Sequence, residues 1–454
     1  MTLKYRVADP LLYLLYSVAI VLFFLAGAPY FVYQAVRYRK YIGSLGQRLG
    51  VLPLSVNLDA DESIWIHAVS VGEVLAARAL VSDLRERYPR LRLFVSTTTM
   101  TGQQVARNLP RVDAVFFFPF DLGLIVRRTL RIVRPRLFIM METELWPNLL
   151  RACHARGVKT VLVNGRISSR SYPRYKLARP FFRRVLRHLD LACMQSEESG
   201  RRLVDIGIDP SKVVMTGSLK FDSLETPSSV EARGRPRVLR FFRVRDDRPV
   251  VIAASTLRGE ERPMLMAFRR VKRMRSDALL IIAPRKPERF GEVEALARSE
   301  GFSVARRTEL PIDADPRADV VILDTIGELA TLYQIATAVF VGGSLVDAGG
   351  HNILEPAVFG KAILFGPHMQ NFAEIARAFL DNGAAEEVTS EPALTEALVG
   401  LLSDPVRRAR LGAAARALVE ANRGAKHRTL DAIARVFPSE TRAETVVRPF
   451  RLVH

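Results

Sequence analysis

The stretch SIWIHAVSVGE, residues 63–73, joins a short apolar run to the start of a helical pattern. The run from Ser63 to Ala68 has the length and composition of a buried strand, and the small residues after it open a helix at about Val71. A turn of this kind places backbone N–H groups at the carboxyl end of the strand, where they can bind an anion. The stretch therefore predicts an α/β unit with a binding site at the end of a strand.

Short apolar runs and helical stretches alternate along most of the 454 residues, in two blocks. The predicted strands are residues 63–68, 91–96, 114–118, 137–141, 160–163 and 191–194, followed by 250–254, 278–282, 320–323, 338–341 and 362–365. A polar, Arg-rich stretch from about Pro227 to Asp247 separates the two blocks. The pattern predicts two Rossmann-like α/β domains joined by a linker, with ligands at the carboxyl ends of the strands, in the cleft between the domains.

An uncharged apolar stretch runs from Leu11 to Ala28 and is bounded by Pro10 and Pro29. It approaches the roughly 20 residues that span a bilayer. A cleaved signal peptide is the alternative, but a proline directly after the small residues disfavours cleavage. Basic residues follow the stretch and no acid occurs until Asp59, so the positive-inside rule predicts a single-pass anchor with the bulk of the chain in the cytoplasm. These basic residues are Arg37, Arg39, Lys40 and Arg48.

We therefore divide the chain into an anchor, two domains, a linker and a C-terminal segment. The anchor is residues 1–36, the domains are 37–226 and 248–420, the linker is 227–247, and a helix with a basic tail occupies 421–454.

The chain is strongly basic, with 67 Lys and Arg against 47 Asp and Glu and a formal net charge of +20. Residues 1–225 hold 33 basic and 18 acidic side chains, whereas residues 226–454 hold 34 and 29. In the densest part, Arg166 to Arg187, arginines alternate with aromatic residues. This part is typical of a basic surface for an anionic membrane, or of a solvated arginine-rich helix. A non-catalytic protein that binds nucleic acid is the alternative from a different class.

Three clusters of polar residues follow predicted strands in the first domain. Glu73 would lie in the first turn of a helix, where its carboxylate either accepts a proton from a hydroxyl nucleophile or favours the helix dipole. The hydroxyl residues of 96–102 suit helix capping or the binding of polar substrate groups. Glu142 and Glu144 follow an apolar strand, which favours either a buried structural pair or a substrate-binding pair.

Four turns at strand ends mark the second domain. They are residues 254–256, 283–290, 342–344 and 349–356. Glycines there allow close approach of the backbone to a ligand, and Asn352 and Glu355 face one side at i and i+3. Such turns at strand ends of one domain predict a site for a nucleotide sugar.

The sequence lacks the Gly-x-Gly-x-x-Gly and Walker patterns, which argues against a dinucleotide dehydrogenase or a P-loop ATPase. The seven histidines show no metal-ligand spacing, and the two cysteines, Cys153 and Cys193, are too few for a metal cluster or a disulfide framework. Asp-x-Asp occurs at 59–61 and 313–315, in polar stretches typical of solvated loops. We therefore expect no metal ion and no resident cofactor.

Eight blocks resemble, in order, the Kdo (3-deoxy-D-manno-octulosonic acid) transferases of lipopolysaccharide biosynthesis, over about residues 10–435. The blocks are SVGE 70–73, TTMTG 98–102, ETELWPN 142–148, NGR 164–166, TGSLKFD 216–222, DTIGEL 324–329, GGHNILEP 349–356 and FGPH 365–368. The resemblance implies a GT-B fold, with two Rossmann-like domains facing across a cleft and one N-terminal transmembrane helix. It places the protein at the bacterial inner membrane, with its catalytic domains in the cytoplasm.

The resemblance also implies an activity: inverting, metal-independent transfer of Kdo from CMP-Kdo to a lipid A precursor, lipid IVA, with Glu73 as the general base. The first domain would bind the acceptor, with Ser70, Gly72, Thr98, Thr101, Gly102, Glu142, Glu144, Arg166 and Lys220 around the acceptor cleft. The second would bind CMP-Kdo through Ser255, Thr256, Pro284, Arg285, Lys286, Ile326, Gly327, Gly343, Ser344, Asn352 and Glu355. The partners expected are CMP-Kdo, the lipid A precursor and an anionic membrane surface, and no nucleic acid.

Two positions depart from the family pattern. Leu257 and Lys286 stand where the family commonly has histidine, so the side-chain hydrogen bond expected at Leu257 is absent. A GT-B transferase that uses another nucleotide sugar and lipid acceptor is the alternative within the class. The sequence leaves the number of Kdo residues transferred open.

Overall fold

The computed structural model describes residues 3–38, 42–224, 237–245 and 247–438. The chain forms two compact units, one of Met1–Ser223 with Arg423–His454 and one of Leu224–Asn422. Most of the expected linker, the tail after Pro438, and Arg39 and Lys40 of the basic flank lie outside the described residues.

Unit 1 is built on a parallel sheet of seven strands in the order β3-β2-β1-β4-β5-β6-β7. The strands are β1 Ser63–His67, β2 Arg92–Thr97, β3 Ala114–Phe117, β4 Pro135–Met141, β5 Lys159–Gly165, β6 Leu191–Met194 and β7 Val213–Met215. Its helices before the second unit are α1 Leu3–Tyr38, α2 Ile42–Arg48, α3 Val71–Arg87, α4 Met100–Arg107, α5 Gly123–Val133, α6 Pro147–His154, α7 Tyr172–Leu177, α8 Arg179–Leu186 and α9 Glu197–Ile206. The six strands predicted for this half are confirmed, and β7 is an addition.

Unit 2 also has a parallel sheet of seven strands, in the order β10-β11-β9-β8-β12-β13-β14. The strands are β8 Val250–Thr256, β9 Leu279–Pro284, β10 Val304–Arg306, β11 Val320–Ile322, β12 Ala338–Val341, β13 Ala362–Phe365 and β14 Glu386–Glu387. The helices are α10 Glu261–Met274, α11 Phe290–Ser299, α12 Leu329–Leu332, α13 Leu354–Val358, α14 Ala373–Asp381, α15 Glu391–Ser403 and α16 Pro405–Asn422. The five predicted strands are confirmed, and the short strands β10 and β14 are additions.

Side chains of β1 pack alternately on the two faces of the first sheet. Ile64 and Ile66 lie in the core on the side of α3, whereas Trp65 packs on the opposite side against Phe116 and Phe138. All five residues of β1 are buried, because helices cover both faces of a parallel sheet. This explains why the strands read as continuous apolar runs in the sequence.

The last described helix, α17 Ala425–Val436, returns to unit 1. The carboxylate of Asp222 accepts the N–H groups of Gly424 at 2.8 Å and Lys426 at 2.7 Å, so it caps the start of α17. At the other end, the hydroxyl of Tyr88 donates to the carbonyl of Phe437 at 2.5 Å. Unit 1 is therefore closed by a segment that follows unit 2 in the chain.

Helix α1 contains the apolar stretch. Within it, Pro10–Pro29 is long and apolar enough to cross a membrane, and only 6% of this stretch is buried within the protein.

Candidate functional site

The strand order of unit 1 places the ends of β1 and β4 side by side. The chain winds outward from β1 to β3 and then returns to add β4 on the other side of β1, so the two strands flank a topological switch point. Ligands of open α/β sheets bind beyond the carboxyl ends of the strands at such a point. Glu73 follows β1, and Glu142 and Glu144 follow β4, so the fold gathers all three acids at this edge.

Glu73 is held at the start of α3, with 8% of its surface exposed. Its Oε2 accepts the N–H of Val69 at 2.9 Å, and its Oε1 accepts the hydroxyl of Ser70, the N-cap residue, at 3.0 Å. Burial, together with the negative charge of Glu142, raises the pKa of the Glu73 carboxyl to about 7, although these hydrogen bonds act in the opposite direction. A carboxyl with this pKa can accept a proton near neutral pH.

Glu142 and Glu144 are partly buried, each side chain keeping 24% of its surface exposed. Nζ of Lys220 lies 3.5 Å from Oε1 of Glu142, whose backbone is left-handed with φ 56°. Burial and the charge of Glu73 raise the pKa of Glu144 to about 7. The two acids therefore differ: Glu142 is paired with a cation, whereas Glu144 is not fully ionised at neutral pH.

His67, the last residue of β1, lies beside Glu144, with Nε2 3.8 Å from Oε2. Burial lowers the pKa of His67 to about 3, so the imidazole is neutral and this contact is not an ion pair. Nδ1 of His67 lies 3.1 Å from the carbonyl oxygen of Ser96, which makes Nδ1 the protonated nitrogen. Nε2 is then an acceptor that faces Glu144.

The hydroxyl cluster after β2 is mostly structural. Thr99 is the N-cap of α4, and its hydroxyl oxygen accepts the N–H of Gly102 at 3.0 Å. A Cβ on Gly102 would lie 3.1 Å from the carbonyl oxygen of Val69, so glycine lets α4 approach the turn before Glu73. The carbonyl oxygen of Thr98 accepts a hydrogen bond from Nη2 of Arg48 at 2.5 Å. The side chain of Thr101 is exposed.

Two further predicted residues of unit 1 lie in the same group of turns. Gly72 is in the first turn of α3, where an added Cβ would meet only the Ser70 hydroxyl oxygen, 4.0 Å away, so the helix start is open there. Arg166 follows β5, and its carbonyl accepts the hydroxyl of Thr143, the residue between Glu142 and Glu144. This contact ties the β4 and β5 turns together.

In unit 2 the switch point lies between β8 and β12. Ser255, near the end of β8, has left-handed φ 55°, and Thr256 is fully buried. The turn after β12 contains Gly343, with φ 68°, and Ser344. The predicted donor residues of β8 and β12 therefore lie at neighbouring strand ends.

The turn after β12 surrounds the carboxylate of Glu260, which is fully buried. Oε2 accepts the N–H of Gly343 at 2.7 Å, and Oε1 accepts those of Ser344 at 2.9 Å and Leu345 at 3.0 Å. The N–H of Leu257 completes the set at 2.9 Å from Oε2. The N–H groups of Gly343, Ser344 and Leu345 are therefore already bonded within the protein.

The sequence indicated a possible phosphate-facing turn at residues 259–261 but predicted no individual role for Glu260. An acid directly before a helix and shortly after a strand was the available signal, but only the neighbouring glycine turn reveals what it binds. Ser344 is likewise bonded internally: its hydroxyl donates to the carbonyl of Val341 at 2.5 Å and accepts the N–H of Gly366 at 2.8 Å.

His351 is a second residue that was not assigned a role. Within the described part of the chain, its Nε2 is buried and has no hydrogen-bond partner. A Cβ on Gly343 would lie 2.9 Å from Cδ2 of His351, so the imidazole packs directly on the glycine turn. Burial and the charge of Arg285 lower its pKa to about 4, so it is neutral at pH 7.

The remaining predicted donor residues line the same strand ends. Arg285 and Lys286 are exposed after Pro284, which ends β9, and the N–H of Arg285 donates to the carbonyl of Thr256 at 3.0 Å. Ile326 is 84% exposed and Gly327 has φ 88°, in the turn after β11.

Asn352 and Glu355 form a pair at the start of α13. Nδ2 of Asn352 donates to Oε1 of Glu355 at 3.2 Å, while Oδ1 of Asn352 accepts the N–H of Leu354 at 3.1 Å. The pair is thereby held on one side of the turn, as their spacing in the sequence predicts.

Across the described ranges, no three His, Cys, Asp or Glu side chains are grouped so that they could hold a metal ion.

Comparison with known proteins adds independent information. Residues 43–223 match the family model described as 3-deoxy-D-manno-octulosonic-acid transferase (kdotransferase), and residues 238–418 match that of glycosyl transferases group 1. The chain is 36% identical over 402 residues to the 3-deoxy-D-manno-octulosonic acid transferase of Haemophilus influenzae, covering 87% of this chain and 92% of the relative. It is 35% identical to the enzyme of the same name from Bordetella pertussis, over 82% of this chain and 86% of the relative.

The crystal structure of a glycosyltransferase from Rickettsia africae is similar in fold, with a TM-score of 0.53 and 12% identity over 84% of this chain and 100% of that one. Two Rossmann-like units, together with these matches, define an enzyme of the GT-B class of glycosyltransferases. Within that class, the chain belongs to the 3-deoxy-D-manno-octulosonic acid (Kdo) transferase family.

Proposed function

We propose that this enzyme transfers Kdo from CMP-Kdo to a hydroxyl of a lipid A precursor, lipid IVA, with inversion at the anomeric carbon. The acceptor oxygen forms a bond to the anomeric carbon while the bond from that carbon to the CMP phosphate oxygen breaks. The proton of the acceptor hydroxyl passes to Glu73, and the electron pair of the broken bond leaves with CMP. No oxidant, reductant or further co-substrate is required.

The observation that carries the proposal is the state of Glu73. A general base works best when its pKa is close to the working pH, and burial brings the pKa of Glu73 to about 7. The hydrogen bonds from Val69 and Ser70 hold the carboxylate in one orientation. Glu142, Glu144 and Lys220 would contact the polar head group of the acceptor beside it.

Donor binding is proposed for the strand ends of unit 2. Asn352 and Glu355 would hold the ribose of CMP, with Ser255, Thr256, Pro284, Ile326 and Gly327 around the base and phosphate. Because the N–H groups of Gly343 and Ser344 are bonded to Glu260, the exposed cations Arg285 and Lys286 would carry most of the phosphate binding. The free Nε2 of His351 offers one further hydrogen bond to the donor.

We propose that no metal ion takes part. CMP is a good leaving group, and fixed donors and cations can stabilise the charge that develops on its phosphate. Transfer should accordingly continue in excess EDTA at the rate seen without the chelator. Loss of activity in EDTA, restored by one divalent cation, would contradict this part of the proposal.

We propose further that α1 attaches the enzyme to the cytoplasmic face of the bacterial inner membrane. An acceptor that carries acyl chains stays in the bilayer, so attachment keeps the enzyme near its substrate. The exposed apolar side chains of α1 and the basic surface of unit 1 support this location.

The test is transfer by purified protein with CMP-Kdo and a tetraacylated lipid A precursor, followed by mass spectrometry of the product. For the unmodified enzyme we expect a mass increase of one or more Kdo residues. In Glu73→Gln, turnover should fall by about 100-fold or more, the usual scale for loss of a general base. The variant should bind CMP-Kdo as the unmodified enzyme does. Glu86→Gln, the same substitution at the exposed end of α3, is the matched control. Consumption of UDP-sugars instead of CMP-Kdo would favour another donor, and full turnover in Glu73→Gln would exclude the base.

A further inference from the structure

Along one side, helix α1 presents polar groups to the rest of unit 1. The hydroxyl of Tyr16 donates to Oδ2 of Asp121 at 3.0 Å, and Nδ2 of Asn148 donates to the hydroxyl oxygen of Ser17 at 3.1 Å. Asp121 is buried and also accepts the N–H of Asn148 at 2.9 Å. The middle of α1 is therefore bonded to the start of α6 and to the turn before α5.

Aromatic contacts extend this side of α1 in both directions. The ring of Tyr13, which is buried, lies 5.9 Å from that of Phe181 in α8. Towards the other end, the rings of Phe24 and Phe120 lie 4.4 Å apart. The contacts thus run from Tyr13 to Phe24, about 16 Å at 1.5 Å per residue.

The opposite side of α1 is apolar and exposed. Six of its large side chains are between 45% and 64% exposed: Leu11, Leu14, Leu15, Val18, Leu22 and Leu25. At 3.6 residues per turn these positions form one stripe, and Tyr13, Tyr16, Ser17 and Phe24 lie on the far side of the helix. The helix therefore has a docked side and an unpartnered apolar side of similar length.

Docking along this length conflicts with a simple crossing of the bilayer. The hydrocarbon core is about 30 Å thick, so a crossing by Pro10–Pro29 would place the docked face of unit 1 inside it. That face includes the guanidinium of Arg151, 4.7 Å above the ring of Tyr13, and the arginines of α8 beside Phe181. Charged side chains at that depth are costly. A helix lying in the plane of the membrane avoids this cost.

Helix α8, which packs against α1, carries positive charge. A groove of about 350 Å³ on α8 is lined by Arg179, Pro180, Arg183, Arg184 and Arg187. Arg174, Arg183 and Arg187 are exposed, and no carboxylate among the described residues forms an ion pair with any of the three. Phe181 of α8 contacts Tyr13 and Tyr16 on the docked side of α1, so the basic groove lies on the helix that packs directly against α1.

We propose that α1 lies in the interface of an anionic phospholipid bilayer, parallel to the membrane plane, with its apolar stripe among the acyl chains and the α8 arginines on lipid phosphates. The proposal rests on the membrane attachment proposed above and differs from it in orientation: both ends of α1 stay on the cytoplasmic side. It thus departs from the single crossing that the length and composition of the stretch predict. Attachment of this kind is driven by the apolar area buried in the interface together with the attraction of basic residues to anionic lipids.

The side on which the N-terminus lies distinguishes the two orientations. Thr2→Cys is introduced into the full chain, whose native Cys153 and Cys193 are buried, and is probed with a membrane-impermeant maleimide. We expect labelling in inverted inner-membrane vesicles and none in intact spheroplasts. Glu396→Cys, on the exposed side of α15, is the control and should give the same result. Labelling of Thr2→Cys in spheroplasts and its protection in inverted vesicles would overturn the proposal.

Depth along the stripe gives a second measurement. Nitroxide labels at Leu11→Cys, Val18→Cys and Leu25→Cys are compared in vesicles of phosphatidylethanolamine and phosphatidylglycerol. An in-plane helix gives three equal depths, whereas a crossing helix places Val18 about 10 Å deeper than the others. Kdo transfer is assayed in the same membranes: loss of transfer with three equal depths would contradict the proposed function, and unequal depths with full transfer would contradict only the orientation.

Discussion

Ser70 and Glu73 cap the start of α3 reciprocally: the Ser70 hydroxyl donates to Oε1 of Glu73 at 3.0 Å and accepts its N–H at 3.4 Å. The sequence left two interpretations of Glu73 open, a helix-capping acid or a catalytic base. The geometry shows that they are compatible, because capping fixes the carboxylate while burial keeps its pKa near 7.

The proposed base predicts how the reaction rate depends on pH. With the pKa of Glu73 at about 7, kcat/KM should fall about tenfold per pH unit below pH 7 and level off above it. Removing the neighbouring charge in Glu142→Gln lowers the pKa of Glu73, so the midpoint should move to lower pH. Initial rates between pH 5 and 9 test this, and a flat profile in the unmodified enzyme would argue against Glu73 as the base.

Glu73 should also destabilise the fold above neutral pH. Its pKa rises from 4.5 in the unfolded chain to about 7 in the folded one, so the folded state binds more protons between these values. The free energy of unfolding therefore decreases as pH rises from 4.5 to 7. Glu73→Gln removes this destabilisation, but it also removes one hydrogen bond, which offsets part of the gain. The net result should be a stabilisation of about 2 kcal/mol at pH 8.

Thermal unfolding at pH 5 and pH 8 measures the difference. The gain from Glu73→Gln should be present at pH 8 and largely absent at pH 5, whereas Glu86→Gln should change neither value. An equal loss of stability at both pH values would mean that hydrogen bonding, not burial of charge, dominates at this position.

Glu260 should be required for the glycine turn after β12. Replacing its carboxylate by an amide in Glu260→Gln turns an NH₂ group toward N–H donors, at a cost of about 3 kcal/mol. We expect a lower Tm and weaker CMP-Kdo binding by calorimetry, since His351 packs on the same turn. Glu396→Gln, at an exposed position of α15, is the control. Unchanged Tm and unchanged donor binding in Glu260→Gln would show that the turn holds its shape without the carboxylate.

The arginines of α8 should contribute to membrane binding by charge. Each basic residue near an anionic surface adds about 1 kcal/mol, so replacing Arg179, Arg183 and Arg187 by Gln should weaken flotation with phosphatidylglycerol vesicles by about 100-fold. The effect should fade at high salt and be absent with purely zwitterionic vesicles. Replacing exposed Arg270 and Arg273 of α10 by Gln is the control, and equal losses in both variants would point to a general effect of net charge.

Much of the site could be predicted because polar residues at strand ends are visible in a sequence. Glu73, Glu142 and Glu144 each follow an apolar run, and the parallel sheet brings those ends together. The roles of Gly343 and Ser344 were harder to predict, because their N–H groups bind a carboxylate 83 and 84 residues away. Such a contact depends on β8 and β12 being neighbours, which local patterns do not specify.

By itself, the sequence determined the two α/β domains, the strand-end turns and the family, since strand burial and turn residues are local properties. Only the tertiary structure decided which groups those turns hold and which side of α1 faces the protein. Helix α1 is apolar nearly all round, so no periodicity in its sequence separates the docked side from the exposed one. The contacts of Tyr13, Tyr16, Ser17 and Phe24 with residues more than 90 positions away make that distinction.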